Sequence, residues 1–171
     1  MTPCFFTGIT DIDVTRRIEK KISKIYKVST FELLKLDDIP SGYHDANAGI
    51  YSFYEIKDEK NKIMGHVAYG MTHVCYFGGC TSLTDQSKNI QREEVQYIIY
   101  FDAKQFIKYI EIIDFESNYG YEIAAKWWLK QFNAQRPGSF KLNDNIDGIS
   151  GATVSCEQFI MTVNDLVRQS Q

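Results

Sequence analysis

A chain of 171 residues, 44% hydrophobic and 24% charged, has the composition of one globular domain with a real core and is not disordered. Nineteen Lys and Arg against twenty-two Asp and Glu leave a formal charge of −3, without a basic stripe dense enough to follow a phosphate backbone. That balance excludes nucleic acid as the expected partner, and the lack of a sustained apolar run excludes a membrane-spanning helix.

The first ten residues lack a basic segment followed by a sustained apolar stretch, so no signal peptide is expected. From Val14, the apolar residues Ile18, Ile22, Ile25 and Tyr26 recur at helical spacing with charges between them. This predicts an amphipathic helix capped by Asp11 or Asp13, with Arg16, Arg17, Glu19, Lys20, Lys21 and Lys24 on a solvated face. Ser29 to Leu36 fits two readings. Ser29 and Glu32 could form a capping box, but Phe31, Leu33 and Leu34 suit a short strand, which we favour. A polar loop around Pro40, Ser41 and Gly42 closes a lead-in over residues 1–48, and residues 49–171 form the expected core of the same structural domain.

Ile50 to Lys57 and Lys62 to Tyr69 read as a hairpin turning through Asp58, Glu59, Lys60 and Asn61. Val95 to Phe101 and Phe106 to Phe115 form a second pair, turning at Asp102, Ala103 and Lys104. Strands joined by short turns predict an antiparallel sheet. Tyr119 to Phe132 changes period, with Ile123, Trp127, Leu129 and Phe132 suited to a helix, and Pro137 and Gly138 end it. Phe140 to Ile149 is polar and turn-rich. A last helix is expected from about Val154 to Val167, burying Phe159, Ile160, Val163 and Val167. The order predicts an α+β fold: an antiparallel sheet with an N-terminal helix and two C-terminal helices.

Side chains that often carry chemistry give little away. Cys4, Cys75, Cys80 and Cys156 are too irregular for a disulfide scaffold or zinc ribbon; Cys75 and Cys80 could pair across a turn or stay as free thiols. His44, His66 and His73 match no common metal site, so no metal is expected. Cys156 sits in the first turn of the last helix and reads as a packing residue. Adjacent Trp127 and Trp128 would point about 100° apart on a helix, so one should be core and the other partly exposed. A place for one of them beside a flat ligand is the functional alternative.

The informative stretch is Asp147-Gly148-Ile149-Ser150-Gly151-Ala152-Thr153-Val154-Ser155, which opens the last helix. Gly148 and Gly151 let the backbone turn and approach a ligand closely, and Ala152 keeps the mouth open. The first amides of a helix have no intrahelical acceptor, and the helix dipole favours an anion there. Ser150, Thr153 and Ser155 add hydroxyls. A phosphate site fits these residues, and so does a plain helix cap; no Gly-Lys-Ser/Thr follows, so nucleotide triphosphate chemistry is not implied.

Ser150-Gly151-Ala152-Thr153 after Asp147, with Ser155 two positions on, resembles the flavinylation motif of the FMN-binding domain family. That family includes the FMN-carrying subunits of the sodium-pumping NADH:quinone reductase and of the Rnf electron-transport complex. The resemblance spans roughly residues 50 to 167 and takes in Tyr76-Phe77-Gly78-Gly79, as well as Tyr119-Gly120-Tyr121-Glu122 leading into Lys126 to Phe132. At the first landmark Tyr76 replaces a glycine, and near the second Asn118 and Tyr119 stand where many members have Pro-Gly. The resemblance implies FMN bound by Asp147, Ser150, Gly151, Ala152, Thr153, Ser155, Gly120 and Glu122, with Thr153 esterified to the phosphate by a flavin transferase. It further implies an electron carrier working with a redox partner protein or a membrane electron-transport complex, on the outer side of the cytoplasmic membrane. It implies no catalytic residue of the chain's own. The alternatives are a non-covalent FMN-dependent reductase and a cofactor-free interaction module.

Overall fold

The computed structural model describes residues 11–44, 49–74, 93–115 and 121–167. Helix α1 (Asp11–Tyr26) forms where the spacing predicts it. Val14, Ile18 and Ile22 lie along one stripe and are fully buried. Five strands follow: β1 (Glu32–Leu36), β2 (Ile50–Lys57), β3 (Ile63–Val74), β4 (Glu93–Asp102) and β5 (Ile107–Phe115). They pair in chain order as one antiparallel sheet, β1-β2-β3-β4-β5. The ambiguous lead-in segment is therefore a strand, paired from Glu32 opposite Lys57 to Leu36 opposite Phe53. Strand β3 reaches Val74, beyond the expected Tyr69, because β4 pairs with it along its whole outer half, to Glu93.

Both predicted hairpins turn on the same device. The Asp58 carboxylate accepts the Lys60 and Lys62 amides at 2.9 Å each, and the Asp102 carboxylate accepts those of Lys104 and Phe106 at 2.8 and 2.9 Å. Asn61 and Gln105 close the turns at φ 62° and 68°.

Side chains alternate across the sheet, so it builds two cores. On one face Tyr54, Ile56, Val67, Tyr69, Ile98 and Tyr100 pack against the α1 stripe. On the other, Phe53, Ala68, Tyr97, Ile99 and Phe101 pack beneath the C-terminal elements. With helices on both faces, the α+β expectation holds.

The expected single helix over Tyr119 to Phe132 is instead a succession of short turns: a 3₁₀ turn at Tyr121–Ala124, helix α2 (Lys126–Leu129) and a 3₁₀ turn at Lys130–Phe132. Ala125 breaks the run with extended dihedrals, φ −63° and ψ 127°. A continuous helix carrying Ile123 inward would also carry Trp127 inward. The break advances the chain, so Trp128 is fully buried beside Ile123, and Trp127 stands 58% exposed. One tryptophan is thus core and its neighbour is exposed, as adjacency requires.

Helix α3 (Thr153–Asp165) crosses the sheet face beneath which these turns lie. Its Phe159 ring sits 5.8 Å from Trp128, 6.0 Å from Phe132 and 6.1 Å from Tyr97. The Thr162 hydroxyl meets the Thr72 hydroxyl of β3 at 2.6 Å in the interior. Beyond the helix, Val167 pairs with Tyr43 of the lead-in. Among the described residues no helix is long and apolar enough to cross a membrane.

Candidate functional site

The loop that leads into α3 is fixed from beneath by two side chains of the preceding turns. The Trp128 indole Nε1–H donates to the Asp147 carbonyl at 2.8 Å, and the Gln131 Oε1 accepts the Asp147 amide at 2.8 Å. With its backbone held at both ends, Asp147 leaves its carboxylate exposed. Neither Trp128 nor Gln131 was among the residues the sequence singled out for this role. The paired tryptophans were a signal for the first; a lone glutamine offered none for the second.

Gly148 does not make the sharp turn expected of it. Its φ is not positive, and an added Cβ would come within 3.1 Å of Asn143 Oδ1 and 3.4 Å of Leu142 Cδ1. It is small so that the loop can lie against Leu142 and Asn143. The turn is at Gly151. There the Ala152 amide donates to the Ile149 carbonyl at 3.0 Å, and Gly151 takes φ 85°, as the third residue of a type II turn must. Around Gly151 the space is open: a Cβ there would meet nothing within 4 Å.

The first intrahelical bond of α3 runs from the Cys156 amide to the Ala152 carbonyl, at 2.9 Å. The amides of Thr153, Val154 and Ser155 precede it and have no acceptor within the helix. Ala152 supplies no side-chain cap, and the first turn holds no acidic residue to occupy the amides. The helix end therefore keeps its partial positive charge and its donors. Thr153 is exposed there, with Ser150 and Gly151, whereas Ala152 and Ser155 are buried. An open glycine turn, unoccupied helix-terminal amides and an exposed hydroxyl make a fitting cradle for a phosphate.

Glu122, in the other landmark, acts electrostatically on Cys156 in the first turn of α3. Burial raises the pKa of the Cys156 thiol, and the carboxylates of Glu157 and Glu122 push it further in the same direction. Cys156 is accordingly a buried protonated thiol, packed in the core. Asp147, Ser150, Gly151 and Thr153 are thus the exposed residues of this loop and helix start, Ala152 and Ser155 are buried within it, and the Glu122 carboxylate acts on Cys156 of the same helix. Gly120 and the Tyr76-Phe77-Gly78-Gly79 landmark lie outside the described residues, as do Cys4, Cys75 and Cys80. Among the described residues, no group of three or more His, Cys, Asp and Glu side chains could hold a metal ion.

A family model described as the FMN-binding domain matches residues 92–168. The match runs from the start of β4 to the end of α3 and contains every candidate site residue. It is narrower than the resemblance over roughly residues 50 to 167 and leaves the landmark at Tyr76 outside. Among solved structures, NqrC of Shewanella oneidensis is similar with a TM-score of 0.54, at 9% identity, over 88% of this chain and 89% of that one. At that identity the likeness is one of fold. No curated protein matches the sequence.

Proposed function

We propose that this chain, whose residues 92–168 match the FMN-binding domain model, is an electron carrier with FMN as its cofactor, esterified to Thr153. The observation that carries this reading is the uncapped start of α3, where an exposed Thr153 hydroxyl stands among unpaired amides beside an open Gly151 turn. The isoalloxazine supplies the redox chemistry, and the protein supplies attachment, orientation and tuning of the potential.

Each residue then has a task. The amides of Thr153, Val154 and Ser155 hold the phosphate oxygens, and Gly151 leaves room for them to approach. Trp128 and Gln131 keep the loop from shifting relative to the helix. The carboxylates of Glu122 and Asp147 place negative charge near the site, which opposes addition of an electron and so lowers the potential. Gly120 is a further cofactor contact in this reading.

Attachment requires FAD and a flavin transferase. The Thr153 Oγ1–phosphorus bond forms as the pyrophosphate bond to AMP breaks, and the hydroxyl proton leaves with the AMP phosphate. A redox partner protein or a membrane electron-transport complex outside the cytoplasmic membrane would complete the electron path. Co-expression with an active transferase should add about 438 Da, FMN less water, to the intact mass. Thr153→Ala should stay folded and gain nothing, since loss of a small hydroxyl at a helix start costs only about 1 kcal/mol. A full mass increment on Thr153→Ala would refute the assignment. Flavin that dissociates on denaturation, with the mass unchanged, would instead identify a non-covalent reductase.

A further inference from the structure

At the edge of the sheet, β5 has no further strand beside it among the described residues. Between that edge, α1 and α2 lies a cavity of about 260 Å³, whose lining includes Arg17, Lys21, Tyr109, Glu111, Lys126 and Lys130. The charge here runs against that of the chain. The whole sequence carries −3, but in this cavity four cations share one carboxylate. That carboxylate is already committed: Glu111 is buried, and its oxygens lie 3.3 Å from Arg17 Nε and 3.4 Å from Lys21 Nζ. The Tyr100 hydroxyl donates to it as well, at 3.3 Å. Lys126 and Lys130 lie four positions apart, are exposed, and have no carboxylate within ion-pair distance among the described residues.

We propose that this cavity is the docking site for a carboxylate-rich segment of a partner protein. Arg17 and Lys21 hold Glu111 in the cavity lining, and Lys126 and Lys130 are the lining charges without an ion-pair partner among the described residues. The partner's Asp or Glu side chains supply the missing counterions. The cavity is concave and small: drug-sized ligands take about 300–1,000 Å³, so this one suits single side chains of a larger partner. A lipid surface would call for a convex face, and this lining is concave, with its charges set among Ile110, Ile112, Ala124 and Leu129. Charge of one sign in a cleft also steers an oppositely charged partner during encounter.

The location gives the site its purpose. Lys126 and Lys130 face the cavity, while Trp128 and Gln131 of the same short segment hold the Asp147 loop. A partner seated here touches the same short segment that holds the loop leading into α3. As a docking point for the electron partner, the site rests on the carrier reading above; as a binding site for acidic polypeptide, it does not.

The test is fluorescence anisotropy with a labelled peptide of alternating Glu and Gly, titrated against the flavin-loaded chain and against Thr153→Ala. Binding should appear at about 20 mM salt and fade by about 200 mM, where screening becomes short-ranged. Lys126→Glu/Lys130→Glu should weaken it at least about tenfold in both backgrounds. Lys20→Glu/Lys24→Glu alters the net charge equally but touches residues that do not line the cavity, and it should leave binding within about twofold. Equal weakening by both double variants would reduce the effect to diffuse charge and overturn the proposal. So would the absence of peptide binding, or displacement of the peptide by inorganic phosphate or anionic phospholipid vesicles at matched charge. The carrier reading stands or falls separately, on the mass increment at Thr153.

Discussion

At the scale of single residues, Gly151 and Thr153 divide the work of the site. Gly151 provides a backbone conformation, φ 85°, in the turn before α3; in the proposed attachment Thr153 would provide the reactive oxygen. The two can be separated by mutation. Gly151→Val meets no steric obstacle, since the space around a Cβ is empty, so its cost comes from the left-handed backbone, about 1–2 kcal/mol. Against a typical domain stability of about 5–15 kcal/mol, the fold survives. Two new methyl groups would nonetheless stand in the space a phosphate needs. The expected outcome is native circular dichroism with no flavin fluorescence in a denaturing gel after transferase co-expression. Normal loading of a folded Gly151→Val chain would remove the phosphate role of this turn. Gly151 was legible because a positive-φ turn before a helix start is a local matter, written in adjacent residues. Gly148 was not: its contacts are with Leu142 and Asn143, and only the path of the intervening loop brings them together.

At the scale of elements, the break at Ala125 has the largest consequence. It turns Trp128 instead of Trp127 into the core, and the buried indole then reaches the Asp147 carbonyl. Trp128→Phe keeps most of the apolar volume but removes the donor. It should cost about 1–3 kcal/mol, from a buried carbonyl left unpaired and a small cavity. Amide hydrogen exchange should accelerate selectively in residues 147–152, with β4 unchanged. Exchange rising uniformly across the chain would show that Trp128 supports the core without a particular hold on the loop. The hairpins could be read in advance because Asp58 and Asp102 make their turns with their own side chains. The broken helix could not, because its periodicity is genuine on either side of Ala125, and only the demand of the core for both Ile123 and Trp128 forces the step. The same distinction explains β1, whose strand character was decided by pairing with β2 more than by its own residues.

At the scale of the molecule, one sheet separates two hydrophobic cores, and polar groups tie the layers together. One such tie joins the lead-in to the body. The Tyr43 hydroxyl and His66 Nδ1 lie 3.3 Å apart, Glu55 Oε2 lies 3.6 Å from His66 Nε2, and Tyr43 also pairs with Val167 beyond α3. Burial lowers the His66 pKa below the usual histidine value, and the Glu55 carboxylate only partly restores it. The unfolded chain therefore binds the His66 proton more readily than the folded one, and stability rises with pH across that interval. The contribution is fully present above the ordinary histidine pKa of about 6.5 and is lost as pH falls through the lower folded value. Its window opens below about pH 6.5, above the range near 4 in which unperturbed carboxylates titrate. The urea midpoint of the native chain should accordingly fall between about pH 7.5 and pH 5.5. His66→Gln, which can still bond Tyr43 but cannot titrate, should show a smaller fall over the same interval. Parallel falls in the two proteins would locate the acid sensitivity elsewhere, and a stability that rises on acidification would contradict the lowered pKa itself.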